Sequence, residues 1–127
     1  EPATLLRNAA PLIAADGTLV VTVPGGPMSA FDKHLGHRRH FTKAALKDVL
    51  EDAGFELKKI SAAGFPTFNL YRLTVLLRGE KLINDTEGSP PLLARLVMMM
   101  FSVLLYIGLP NSPWGWQIVA LAKKRAA

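Results

Sequence analysis

Cysteine is absent from these 127 residues, so disulfides and thiolate metal centres are excluded and a reducing compartment is compatible. No Gly-x-Ser-x-Gly occurs, which leaves no nucleophile elbow. Glu1 to Leu6 carries neither the basic start nor the apolar core of a secretory signal. Acidic residues are outnumbered, 10 against 15 lysines and arginines, for a net charge of +5. Much of that excess sits at Arg38-Arg39, Lys58-Lys59 and Lys123-Lys124-Arg125 without interleaved aromatics, so a nucleic-acid partner is not expected. Charge is missing altogether from Leu96 to Ala122. Within that span Leu96 to Leu109 forms an apolar stretch of fourteen residues, short of the ~20 that cross a bilayer.

What is present suffices for one domain with a real core, since 50% of the residues are hydrophobic. Residues 3 to 14 put Leu5, Leu6, Ala9, Leu12 and Ile13 on a helical stripe. Asp16-Gly17 turns into Thr18 to Val23, a β-branched run apolar on both faces, which predicts a strand covered on both sides in a parallel sheet. Pro24-Gly25-Gly26-Pro27 ends it. Thr42 is placed to cap a helix from Lys43 to Ala53, with Leu46, Val49, Leu50 and Ala53 on one face. Gly54 supplies a left-handed C-terminal cap, and a second strand runs from Phe55 to about Ser61. Such a strand–helix–strand unit predicts a right-handed crossover between parallel strands.

The loop between the first strand and this helix leaves the strand's carboxyl end, where open α/β sheets place their ligands. It holds Ser29, Asp32, Gly36-His37-Arg38-Arg39 and Phe41-Thr42. Followed by its glycine-closed helix, this segment resembles the one after the fifth strand of class I S-adenosylmethionine-dependent methyltransferases, in the small-molecule branch. The resemblance covers Glu1 to Ala62 and Gly115 to Arg125. It implies an α/β fold, the C-terminal portion of a Rossmann-like sheet in which Gly115 to Lys124 enters antiparallel between the first two strands. The expected order is first, third, second, with two parallel strands and one antiparallel strand. Residues 1–63 and 114–127 would form the sheet and its flanking helices, and residues 64–113 a helical insertion.

The cofactor that the resemblance implies, S-adenosylmethionine, sits in that family on a glycine-rich turn after the first strand, with an acidic residue ending the second. No Gly-x-Gly-x-Gly occurs in this chain, and Gly25-Gly26 leads into Pro27 rather than a helix. The chain is therefore expected to be a piece of a larger, cytoplasmic enzyme, inactive alone, with the cofactor bound mainly by an N-terminal half. No cofactor-binding residue is assigned here.

For the acceptor the loop offers six polar groups. His37 has an imidazole suited to act as general base. Asp32, His34, Arg38 and Arg39 are the substrate-binding candidates, the arginines by bidentate hydrogen bonds to an acidic or phosphate-bearing acceptor. His40 is adjacent. No metal centre is expected, because His34 and His37 lie between a Pro-Gly break and a helix cap rather than on one helical face.

The insertion reads as two helical segments, Thr67 to Leu77 and Leu92 to Ile107, joined by the polar stretch Gly79 to Pro91. Burial against the sheet or the partner helix is the plainest role for the second. A lid over an apolar small-molecule acceptor, or a peripheral membrane contact, is the functional one. The rival to an enzyme is a non-catalytic interaction or membrane-surface module built on this hairpin. Self-association is expected through the open edge of the first strand or through the insertion.

Overall fold

The computed structural model describes residues 1–79, 81 and 91–125. Helix α1 (Pro2–Ala9), with proline in its first turn, tightens into a 3-10 turn at Ala10–Leu12. Strand β1 (Thr18–Pro24) leads to the short helix α2 (Ala30–His34) and then to α3 (Lys43–Asp52). Thr42 caps α3, its Oγ1 accepting from the Ala45 amide at 3.1 Å. Gly54, at φ +87°, turns the chain into β2 (Phe55–Ala63). Helices α4 (Thr67–Arg78) and α5 (Leu92–Leu104) follow, α5 ending in a 3-10 turn at Leu105–Ile107, and β3 (Gln117–Lys124) closes the order.

The three strands form one sheet in the order β1-β3-β2. Its core lies on one face. Leu46 and Leu50 of α3 pack there with Phe55, Ala62, Ile118, Ala120 and Ala122. The central strand presents alanine at 120 and 122, both without exposure, so the helix can approach closely.

Two expectations are corrected. The sheet has no parallel ladder: β3 pairs antiparallel with β1, from Thr18 opposite Lys123, and antiparallel with β2, from Phe55 opposite Lys124. The expected order of first, third, second is the one found, so β3 separates β1 from β2 and the sheet holds antiparallel ladders only. This overturns the expected Rossmann-like sheet with two parallel strands; the structure is a small α/β domain with an antiparallel sheet. Nor is β1 covered on both sides. Its burial alternates, with Leu19, Val21 and Val23 turned to the core and Thr18, Val20 and Thr22 exposed. That alternation belongs to an antiparallel sheet with one open face.

The α4–α5 excursion is closed at its base. The Gly64 amide donates to the Leu109 carbonyl and the Leu109 amide to the Phe65 carbonyl, each at 2.8 Å. Asn69 of α4 reinforces this closure by donating to the Trp114 carbonyl and accepting from the Trp116 amide. The polar stretch between the helices falls mainly outside the described residues.

Candidate functional site

The loop after β1 is organised around one carboxylate. Ser29 and Asp32 form a capping box on α2: the Ser29 hydroxyl accepts from the Asp32 amide at 3.1 Å, and Asp32 Oδ2 accepts from the Ser29 amide at 2.7 Å. The Ser29 hydroxyl donates to the same oxygen. From α4, Arg72 closes a bidentate pair, Nη1 to Oδ1 at 3.0 Å and Nη2 to Oδ2 at 2.6 Å. Asp32 is only 2% exposed.

Burial alone would raise the Asp32 pKa. The hydrogen bonds from Arg72 and from the Ser29 amide and hydroxyl, with the guanidinium charge, outweigh it and hold the carboxyl well below its usual range. Asp32 is therefore ionised across the physiological range.

Two histidines lie against this anion. His37 Nδ1 is 3.7 Å from Oδ1, and the His37 amide donates to the Asp32 carbonyl at 2.9 Å. His40 Nε2 is 3.8 Å from Oδ2, while its Nδ1 meets the Gly26 carbonyl at 3.1 Å. The two rings approach edge to face with centroids 6.0 Å apart. The His40 side chain is almost wholly buried, and its Nε2 has no hydrogen-bond partner among the described residues.

Asp32, His37 and His40 bring one potential ligand atom each within 4.8 Å of one another. Both oxygens of Asp32 already accept from a guanidinium, so a metal ion there would meet a fixed positive charge as competitor.

The sequence candidates thus separate. His37, Arg38 and Arg39 line a shallow cleft of about 480 Å³ at the carboxyl end of β1, with Pro24 and Phe41 as its apolar wall and Glu1-Pro2 at its rim. Arg39 lies 5.0 Å over the Phe41 ring and 3.9 Å from the Glu1 carboxylate. Asp32 lies beneath this surface, and His34 is exposed at the end of α2, outside the cleft lining.

Sequence reasoning missed Arg72. A lone charge in an otherwise apolar segment, three residues before Val75 and four after Phe68, marks the inward face of α4, and that spacing is the signal. The Ser29-x-x-Asp32 spacing likewise announces a capping box.

At Gly26 a Cβ would sit 2.6 Å from the Trp116 ring, and at Gly25 it would be 3.1 Å from Ile118. The paired glycines make room for protein packing. No protein-family model and no curated protein matches this chain.

Proposed function

We propose that this chain supplies the acceptor side of an S-adenosylmethionine-dependent methyltransferase acting on a small molecule that bears an acidic or phosphate group. The cofactor would be held by residues outside these 127. The observation that carries the reading is the convergence of His37, Arg38 and Arg39 on one cleft, with ionised Asp32 behind His37. The resemblance of the loop's residue order to that family supports it.

Each group has a part that its chemistry suits. Arg38 and Arg39 would hold the acceptor's anion by charge-assisted hydrogen bonds. His37, more exposed than Asp32, would take the acceptor's proton while the carboxylate behind it stabilises the imidazolium that forms. Asp32 and Arg72 position rather than react, since the carboxylate is enclosed.

The test uses protein from the complete reading frame, methyl-labelled S-adenosylmethionine and a panel of small carboxylates and phosphate esters. Label should pass to one of them. His37→Ala should slow transfer by about 100-fold or more, the usual contribution of a general base. Arg38→Ala should chiefly raise KM for the acceptor. No transfer to any member of the panel, or equal turnover in both variants, would refute the assignment. The 127-residue chain alone should bind no S-adenosylmethionine at micromolar concentration by calorimetry.

A membrane-surface role rests on a separate observation, the exposure of α5, and is compatible with this one.

A further inference from the structure

Helix α5 and its 3-10 extension run from Leu92 to Ile107 with Arg95 as the one charged residue. Leu93, Met98, Met99, Val103 and Ile107 are all more than 60% exposed, and Phe101 is the single buried side chain of α5. Leu93, Met99, Val103 and Ile107 share one side of the helix and Met98 lies beyond it, so the exposed apolar surface reaches past a single stripe and leaves the Phe101 side as the covered one. Helix α4 adds Leu70, Leu73 and Leu77, exposed at i, i+3 and i+7.

We propose that the α4–α5 hairpin docks on a lipid membrane, with α5 lying in the interface and its middle among the acyl chains. Three features favour lipid over a protein partner. With Leu92, Leu96 and Met100 added, the exposed apolar arc is broader than the stripe one packed helix covers, and acyl chains can conform to such an arc. Thr67 Oγ1, buried at the start of α4, has no partner among the described residues, but the hydroxyls of Ser102 and Thr74 are satisfied internally: Ser102 Oγ donates to the Met99 carbonyl at 2.7 Å and Thr74 Oγ1 to the Leu70 carbonyl at 3.1 Å. They need no water, which is the condition for leaving it. The ends of α5 carry groups suited to the headgroup layer. Arg95 is exposed in its first turn, Tyr106 is 92% exposed just beyond its last, and exposed Trp114 borders the base of the excursion.

Among the described residues no helix is long and apolar enough to cross a membrane. At 1.5 Å per residue, the 16 residues from Leu92 to Ile107 extend roughly 24 Å, less than the hydrocarbon thickness. The geometry thus fits one leaflet. This inference does not depend on methyl transfer.

Flotation of protein from the complete reading frame, with phosphatidylcholine vesicles and with vesicles that also contain phosphatidylserine, tests it, alongside Met99→Asp/Val103→Asp. Both residues are exposed, so the double variant should retain the native circular dichroism spectrum and melting behaviour. Wild type should float with the vesicles, and the double variant should lose at least tenfold in partitioning. Wild type that stays in the aqueous fraction overturns the proposal. So does binding confined to anionic vesicles and unchanged in the double variant, which would place the contact on basic side chains elsewhere. A discrete dimer that ignores vesicles but dissociates in the double variant would assign the surface to a second copy and overturn it as well.

Discussion

Helices α3 and α5 are of similar length and both carry several leucines or valines, yet one is the centre of the core and the other is almost bare. In α3 the apolar residues Leu46, Val49 and Leu50 share one face, while Lys43, Lys47, Asp48, Glu51 and Asp52 occupy the rest. Lys47 and Glu51 even pair across one turn at 3.9 Å. In α5 no charge follows Arg95, and only Phe101 is buried. Hydrophobicity alone did not decide burial. What decided it was a matching surface: alanines 120 and 122 of β3 receive α3, whereas α5 meets chiefly α4, with Phe101 against Tyr71 at 5.6 Å between ring centroids. An amphipathic helix states where it belongs, and a helix apolar all round requires a partner.

The sharpest way to break that contrast is to truncate one apolar side chain in each kind of place. Leu50→Ala should cost about 2–5 kcal/mol by chemical denaturation, because the fully buried side chain leaves a cavity. Val103→Ala, at an exposed position, should stay within about 0.5 kcal/mol. Comparable losses would mean that α5 is packed in solution and that its exposure is misassigned.

Besides the closure at its base, the α4–α5 excursion is tied to the loop after β1 by the ion pair of Arg72 in α4 with Asp32 in α2. Arg72→Ala should destabilise the chain by about 3 kcal/mol, since it leaves a buried carboxylate with Ser29 as its remaining donor. Arg72→Lys keeps the charge but loses the fork, and should fall between. A loss below about 0.5 kcal/mol for the alanine variant would show that the pair does not tie the regions together.

The same pair sets a pH dependence. Asp32 has a lower pKa folded than unfolded, so the unfolded chain takes up the proton first as pH falls. The stabilisation is complete well above the ordinary value of 3.8 and is lost progressively as pH drops below it. Asp32→Asn should start less stable at neutral pH and show a flatter profile in acid. Parallel profiles for the two proteins would assign the acid sensitivity to other groups.

A smaller effect concerns the outer edge of β1, which no strand pairs among the described residues. Val20 stands exposed beside it. Any self-association seen by sedimentation at micromolar concentration should weaken in Val20→Lys if that edge is responsible. Unchanged association would move the contact elsewhere.

Much of the local structure was legible because it rests on short-range chemistry. Thr42 capping α3, Gly54 ending it and the apolar spacing between them are decided within a dozen residues. The strand order β1-β3-β2 was legible only through the family resemblance and not from local pattern, because β3 arrives more than fifty residues after β2 and its position depends on how the insertion closes on Gly64 and Leu109. The run Leu19 to Val23 misled for a related reason. Valine suits either face of a strand, so its repetition cannot report that Val20 is exposed while Val21 is turned inward. At the site, the cations were legible as a cluster. That Asp32 lies under them, held by a residue forty positions away, depends on the packing of α4 against α2.

Hydrogen exchange of wild type and Arg72→Ala, resolved to single amides, tests most directly whether that buried pair holds the loop in place. In wild type the amides of Ser29, Asp32 and His37 should be protected, each having a partner within the Ser29–Asp32 cap. In Arg72→Ala they should exchange at least tenfold faster, while the amides of Ala120 and Ala122 in the central strand remain as slow as before. Loop amides that already exchange freely in wild type, or that are indifferent to the loss of Arg72, would contradict the account.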